Sequence, residues 1–361
     1  MSLKKMSIGS GVLVLLALLV YTLNSGRNEP QSEGRVGRSV LDGVRMEEAA
    51  RVVISDPRNR VTMENNGPDG WKVLENNGLP ADSKKMNTML SKMSDIILAR
   101  RISGKNGKLA ELKLENPGEG YGQAGIGPQN SAPQGPSMSF SVFDKQGQPM
   151  FSLYLGKSRQ VSMGGGDPGQ YIRLAGDDDA YLIGESLYMQ ATPEDWISKT
   201  LLDVHVDSDL KSMTIAAPGG APLEFSRKEP GLDWELTGTP AEKLKKQEVK
   251  SMASTLATLK MVHVAPTDKT PADLGRSRSG TVVVDLFDNR RYTLSVGADK
   301  GFDDYRYLTI EAALSVPASD EKASLEVERF NRLYKGQFFA IHDFEAKRLQ
   351  QERKAFLQEA Q

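Results

Sequence analysis

Three histidines, a run of three aspartates, a glycine-rich stretch and two similarly placed tryptophans are the side chains here whose types could do chemistry. Imidazole acts as a zinc ligand or general base only beside a partner at the right spacing. His205, His263 and His342 show no His-x-x-x-His pair, and the absence of cysteine removes thiolate ligands, thiol nucleophiles and disulfides together. His205 falls in an alternating, strand-like run, His263 follows a helical pattern and His342 lies near the C-terminus, so each reads as a structural histidine. Asp177-Asp178-Asp179 offers hard oxygens of the kind calcium prefers, but it lacks the alternating ligand spacing and closing glutamate of a calcium loop. Between two strand-like runs it reads as a hairpin turn. Gly164-Gly165-Gly166 suggests a phosphate cradle, yet no Lys-Ser or Lys-Thr follows and no helix begins there. No serine stands in a Gly-x-Ser-x-Gly setting. Trp71 and Trp234 could stack on sugar rings, but their matched surroundings assign them to a strand–helix core. These residues lead to the expectation of a protein that is not an enzyme, with no cofactor and no metal.

Charge narrows the classes further. With 46 basic against 47 acidic residues the formal net charge is -1, so no global field draws the chain to nucleic acid. A chain of 361 residues is long enough for two domains, each with its own core.

The start of the chain carries the one strongly apolar segment. After Lys4 and Lys5, residues 8–23 read IGSGVLVLLALLVYTL, with Ile8, Val12, Leu13, Val14, Leu15, Leu16, Leu18, Leu19, Val20 and Leu23 as its large aliphatic side chains. At about 1.5 Å per residue, a helix from Met6 to Leu23 spans roughly 27 Å, close to the ~30 Å hydrocarbon core of a bilayer. Tyr21-Thr22-Leu23-Asn24 supplies no small-residue cleavage pattern, which favours a retained anchor over a cleaved signal. The lysines on the short side place residues 1–7 in the cytoplasm and the bulk of the chain outside it, in the periplasm of a cell with its single-pass helix in the inner membrane.

Beyond a linker at 24–45, two stretches repeat one order of features: an apolar strand-like run, a tryptophan, a proline and an amphipathic helix. In 46–190, Val52-Val53-Ile54 leads to Trp71 and Pro80, and then Met86, Met89, Leu90, Met93 and Ile96 recur at helical spacing. In 191–316, Met213-Thr214-Ile215 leads to Trp234 and Pro240, and then Val249, Met252, Ala253, Leu256 and Leu259 do the same. Period-two runs follow each helix, at 139–143, 151–155, 171–174 and 181–183 in the first stretch and at 281–287, 292–296 and 305–310 in the second. The expected fold is α+β: the transmembrane helix, two tandem repeat units of antiparallel strands each packed with one helix, and a helical tail at 317–361. A Pro, Gly, Gln and Ser insertion at 117–136 in the first unit reads as an exposed loop.

The segments DGWKVLENNGLPADSKKMNTMLSKMSDI, QYIRLAGDDDAYLI, DWISKTLLDVHVDSDLKSMTI and LDWELTGTPAEKLKKQEVKSMASTLATL together resemble the bacterial family called domain of unknown function 4340. The resemblance covers most of residues 46–312, and its motifs are packing signatures. It implies a membrane-anchored envelope protein similar to accessory proteins found beside ABC-type transport systems, including those of gliding motility, with integral-membrane protein partners. Two functions follow as expectations: a tethered interaction or structural subunit, or an extracytoplasmic module binding a polysaccharide or peptide.

Overall fold

The computed structural model describes residues 34–118, 121–123, 135–159, 168–239, 243–316 and 320–358. The expected anchor at 8–23, most of the insertion at 117–136 and the Gly164-Gly165-Gly166 stretch lie outside the described residues. Among the described residues no helix is long and apolar enough to cross a membrane. The chain divides into two compact units between Ser198 and Lys199. That is later than the 190/191 join expected from the sequence. Trp196 and Ser198 explain the difference: the Asp82 amide donates to the Trp196 carbonyl and the Ser198 amide to the Pro80 carbonyl, each at 2.7 Å.

The first unit holds β1 (Arg51–Ser55), β2 (Arg60–Asn65), β3 (Trp71–Val73), β4 (Leu79–Pro80), α1 (Ser83–Asp95), β5 (Leu98–Ile102), the short α2 (Lys108–Glu111), β6 (Met138–Phe143), β7 (Pro149–Arg159), β8 (Gly169–Leu174) and β9 (Ala180–Ile183). The strands form one antiparallel sheet in the order β4-β3-β2-β1-β6-β7-β8-β9-β5. Side chains alternate across it as period two requires. Val52 and Ile54 of β1, Val61 and Met63 of β2, Phe140 and Val142 of β6, and Leu153 and Leu155 of β7 are all buried. α1 starts where the Asp82 carboxylate accepts from the Lys85 amide at 2.9 Å, a side-chain cap for an otherwise unpaired N–H. Met86, Met89 and Met93 form its buried stripe, Leu90 lies half-buried at the stripe's edge, and Trp71 is buried.

The second unit holds β10 (Leu210–Ala216), β11 (Leu223–Ser226), β12 (Glu235–Leu236), α3 (Lys246–Ala257), β13 (Ser279–Leu286), β14 (Arg290–Gly297), β15 (Arg306–Leu314), α4 (Glu321–Tyr334), β16 (Phe339–Ile341) and α5 (Asp343–Leu349). Its antiparallel sheet runs β12-β11-β10-β13-β14-β15-β16. In each unit the first strand pairs with the second on one side and with a later strand on the other, β6 beyond α1, β5 and α2 in the first unit and β13 beyond α3 in the second. Trp234 is buried just before β12, and the buried Arg227 guanidinium lies 4.6 Å from its ring. Val249, Met252, Ala253 and Leu256 make the buried stripe of α3. On the outward face Asp285 accepts from the Ser212 hydroxyl at 2.9 Å, from the Ser315 hydroxyl at 2.5 Å and from Arg291 Nε at 2.6 Å. Burial alone would raise this carboxyl, but the three donors outweigh it and hold it below its ordinary value.

Residues 317–361 were expected as a helical tail, and the structure corrects this. α4 is a helix capped by Asp320, but the chain then turns into β16, which pairs with β15 from Arg306↔Ile341 to Leu308↔Phe339. Phe356 is fully buried and meets Phe225 edge-on at 4.8 Å, and Leu357 bridges Leu244. The charged residues around Phe339-Ala340-Ile341 hide a three-residue strand buried at every position.

Two consequences are measurable. Phe356→Ala empties a packed site in the second unit and lowers its stability by about 3–5 kcal/mol, read by urea denaturation followed through Trp234 fluorescence. Because the folded Asp285 carboxyl titrates below its unfolded value, its stabilisation is complete above the unfolded carboxylate range and is lost as pH falls through the folded value. Asp285→Asn therefore lowers stability at neutral pH and flattens the acid limb of the stability–pH curve, as urea midpoints across pH 2–7 will show.

Candidate functional site

The outward face of the first sheet carries a concave surface with convergent polar groups. The alternation that buries Val52 and Ile54 turns Arg51, Val53 and Ser55 the other way, and the pairing registers fill in their neighbours. Arg51 stands between Glu64 and Phe143, Val53 between Thr62 and Ser141, and Ser55 between Arg60 and Ser139. Tyr154 of β7 pairs with Ser139 and adds a fourth strand to this floor. With Pro117, Gly118, Tyr121 and Gln123 along one side, these residues line a cavity of about 520 Å³.

Tyr121 holds the described start of the insertion on this floor. Its buried hydroxyl lies 3.1 Å from the Ser55 carbonyl and 3.2 Å from the Pro136 carbonyl, so one phenol ties both ends of the insertion to β1. Burial pushes this phenol far above its ordinary value, so it stays a neutral donor. Gly122 has φ +77° and lies so close to β1 that an added Cβ would stand 3.1 Å from Ser55 Cβ. Only glycine fits both that conformation and that approach.

The electrostatics of the cavity are one-sided. Arg51 spreads its guanidinium over the Phe143 ring at 4.6 Å, and its Nε is buried without a hydrogen-bond partner. Among the described residues neither Arg51 nor Arg60 has a carboxylate at ion-pair distance, and no aspartate or glutamate lines the cavity. The remaining lining is rich in hydroxyls, with the Ser152 hydroxyl donating to Ser141 at 2.9 Å. This arrangement suits binding. All three histidines belong to the second unit.

A second, smaller cavity of about 390 Å³ runs beside α1 in the same unit. The Lys85 ammonium donates to Gln190 Oε1 at 2.6 Å and to the Asp195 carbonyl at 2.8 Å, and sits 4.8 Å from the Trp196 ring. Trp196 in turn donates to the Gln190 carbonyl at 2.7 Å. This framework presents Tyr188, 83% exposed, among Lys84 and Lys92.

The residues singled out in the sequence go elsewhere. His205 is exposed and precedes β10 in a turn, not in a strand; its amide donates to Asp209 at 2.8 Å. His263 Nε2 meets Asp303 Oδ2 at 2.9 Å and its Nδ1 lies 3.1 Å from the Val264 carbonyl, while Tyr307 donates to the same Asp303 oxygen at 2.7 Å. Tyr307 is fully buried, so this His–Asp–Tyr group ties the 299–305 loop to β15 and to the segment that follows α3. His342 caps α5 through its amide, which donates to Glu345. Of the aspartate run, Asp177 accepts from Tyr181 and Asp179 accepts from Gly104 and Arg101, which lowers the Asp179 carboxyl through the Gly104 amide first and Arg101 next. Among the described residues no three His, Asp or Glu side chains converge as a metal site. Sequence reasoning passed over Arg51, Arg60, Tyr121 and Tyr188; the polar phase of β1 opposite Val52 and Ile54 was the available signal for the first two.

The family model described as domain of unknown function (DUF4340) matches residues 71–277, from Trp71 in β3 to the loop before β13. No curated protein and no solved structure matches the chain.

Tyr121→Phe tests the tie between insertion and sheet. Loss of the hydroxyl costs about 1 kcal/mol locally and raises the rate of cleavage within 117–136 by a broad-specificity protease. Cleavage there at the wild-type rate would remove the tie.

Proposed function

Starting from a chain that belongs to the DUF4340 family, whose description assigns no reaction, we propose a non-enzymatic, membrane-anchored interaction subunit. Residues 8–23 with Lys4 and Lys5 support a single inner-membrane helix with a cytoplasmic N-terminus, and the two units then lie on the periplasmic side. The run of the opening strands outward from a central first strand, followed in each unit by one amphipathic helix, supports two tandem copies of one ancestral unit. Its partners are integral-membrane proteins, ABC-type transport components in particular. This follows the family resemblance and the anchor.

The observation that carries the interaction reading is Tyr188. A tyrosine left 83% exposed buries much area at little entropic cost when a partner covers it, and tyrosine is enriched where interfaces concentrate their energy. The lysines of α1 around it favour an acidic partner surface. A second reading, a module for a polysaccharide or peptide, draws on the cavity of the first sheet.

Purification from membranes in mild detergent recovers membrane partners with the wild-type chain, and Tyr188→Asp reduces that recovery at least tenfold with the protein still folded. Recovery of the wild-type chain alone overturns the reading, as does a C-terminal fusion reporting a cytoplasmic location.

A further inference from the structure

We propose that the cavity on the outward face of the first sheet is a binding site for an anionic oligosaccharide, with Arg51 and Arg60 holding its acidic groups. This rests on the second reading above and names its ligand class.

The first argument is charge. In a chain whose basic and acidic residues number 46 and 47, the cavity is lined by two arginines, and the carboxylate in register with Arg51, Glu64, is paired with Lys72 at 3.8 Å. Arginines placed for stability alone are expected to be satisfied from within the fold, as the buried Arg173 is by the Leu114 carbonyl, the Asp177 carbonyl and Asn116. Arg51 is not: Phe143 orients its guanidinium, its buried Nε finds no acceptor, and among the described residues no carboxylate stands at ion-pair distance from it. The outer nitrogens of a guanidinium held flat on a ring are the ones that can take a carboxylate, sulfate or phosphate oxygen.

The second argument is spacing. Arg60 pairs with Ser55, at the far end of β1 from Arg51. At about 3.3 Å per residue the two arginines stand roughly 13 Å apart along the strand direction, so they address two acidic groups of one extended ligand. Between them lie the half-buried Thr62 and Ser141, whose hydroxyls can both donate and accept as sugar hydroxyls do, with the buried Ser55 and Ser139 beneath. At about 520 Å³ the cavity is of ordinary ligand-site size.

The third argument separates a glycan from a peptide. β1 is an interior strand, with its backbone committed to β2 and β6, so the floor offers no free edge to which a peptide could add as a strand. Val53 and the rings of Phe143 and Tyr154 are the apolar surfaces of the floor, too few to make a row of side-chain pockets.

The experiment uses the full chain in detergent and isothermal titration with tetragalacturonate, with a neutral tetrasaccharide of the same length and with a tetraglutamate peptide. Tetragalacturonate binds, the other two bind at least tenfold more weakly, and Arg51→Gln and Arg60→Gln each weaken binding about tenfold or more. Arg60 is exposed, so its variant tests the site even where Arg51→Gln disturbs the sheet. Undiminished binding in the double variant overturns the proposal. Equal binding of the neutral tetrasaccharide overturns the role of the arginines but leaves the polysaccharide reading standing, whereas equal binding of tetraglutamate overturns the glycan class. No binding of any of the three counts against the proposal and the second reading together.

Discussion

The phase of two central strands, β1 and β10, governs what each sheet can present. Both are held on either side by antiparallel partners, and both have one face against a core. Because side chains alternate with a period of two, a shift of one residue in β1 would carry Arg51, Val53 and Ser55 into the core and expel Val52 and Ile54. The apolar residues buried on one face thus decide the chemistry of the other. In β10 the same rule buries Met213 and Ile215 and leaves Ser212 outward, where it supports Asp285.

The outward faces differ in how charge is settled. In the second unit Asp285 and Arg291 compensate each other within the sheet, and the half-buried Arg276 is spread over the Ser295 carbonyl, the Ser295 and Thr309 hydroxyls and the Phe338 ring. Desolvation lowers the Arg276 pKa, yet these acceptors keep its guanidinium satisfied. In the first unit Arg173 is satisfied in the same way, whereas Arg51 and Arg60 have no carboxylate at ion-pair distance among the described residues.

The closing segment of the chain shows how packing overrides composition. Read alone, residues 317–361 are charged and helical in character, and α4 and α5 agree with that. Between them, Phe339-Ala340-Ile341 is covered on one edge by β15 and on the other by backbone bonds to Val262 and His263. Helix propensity is a weak force beside the burial of three apolar residues in a sheet that supplies partners for their backbone.

The sequence by itself determined what is local and periodic. The stripe of Met86, Met89 and Met93 and that of Val249, Met252 and Leu256 mark helices because apolar residues three and four apart can only share a face on a 3.6-residue turn. The alternating runs after them mark strands for the matching reason, the α+β class follows from their order, and the DUF4340 family follows from the match over residues 71–277. Tertiary structure decided which strands are neighbours, and with that the site. Arg51 and Arg60 are close in sequence, but Ser139, Ser141 and Phe143 reach them only because β6 returns to pair with β1, and Tyr121 reaches Ser55 only because residues 121–123 lie against β1. Pairing between distant strands is set by the total burial and hydrogen bonding of the whole sheet, a sum that no local window of residues contains.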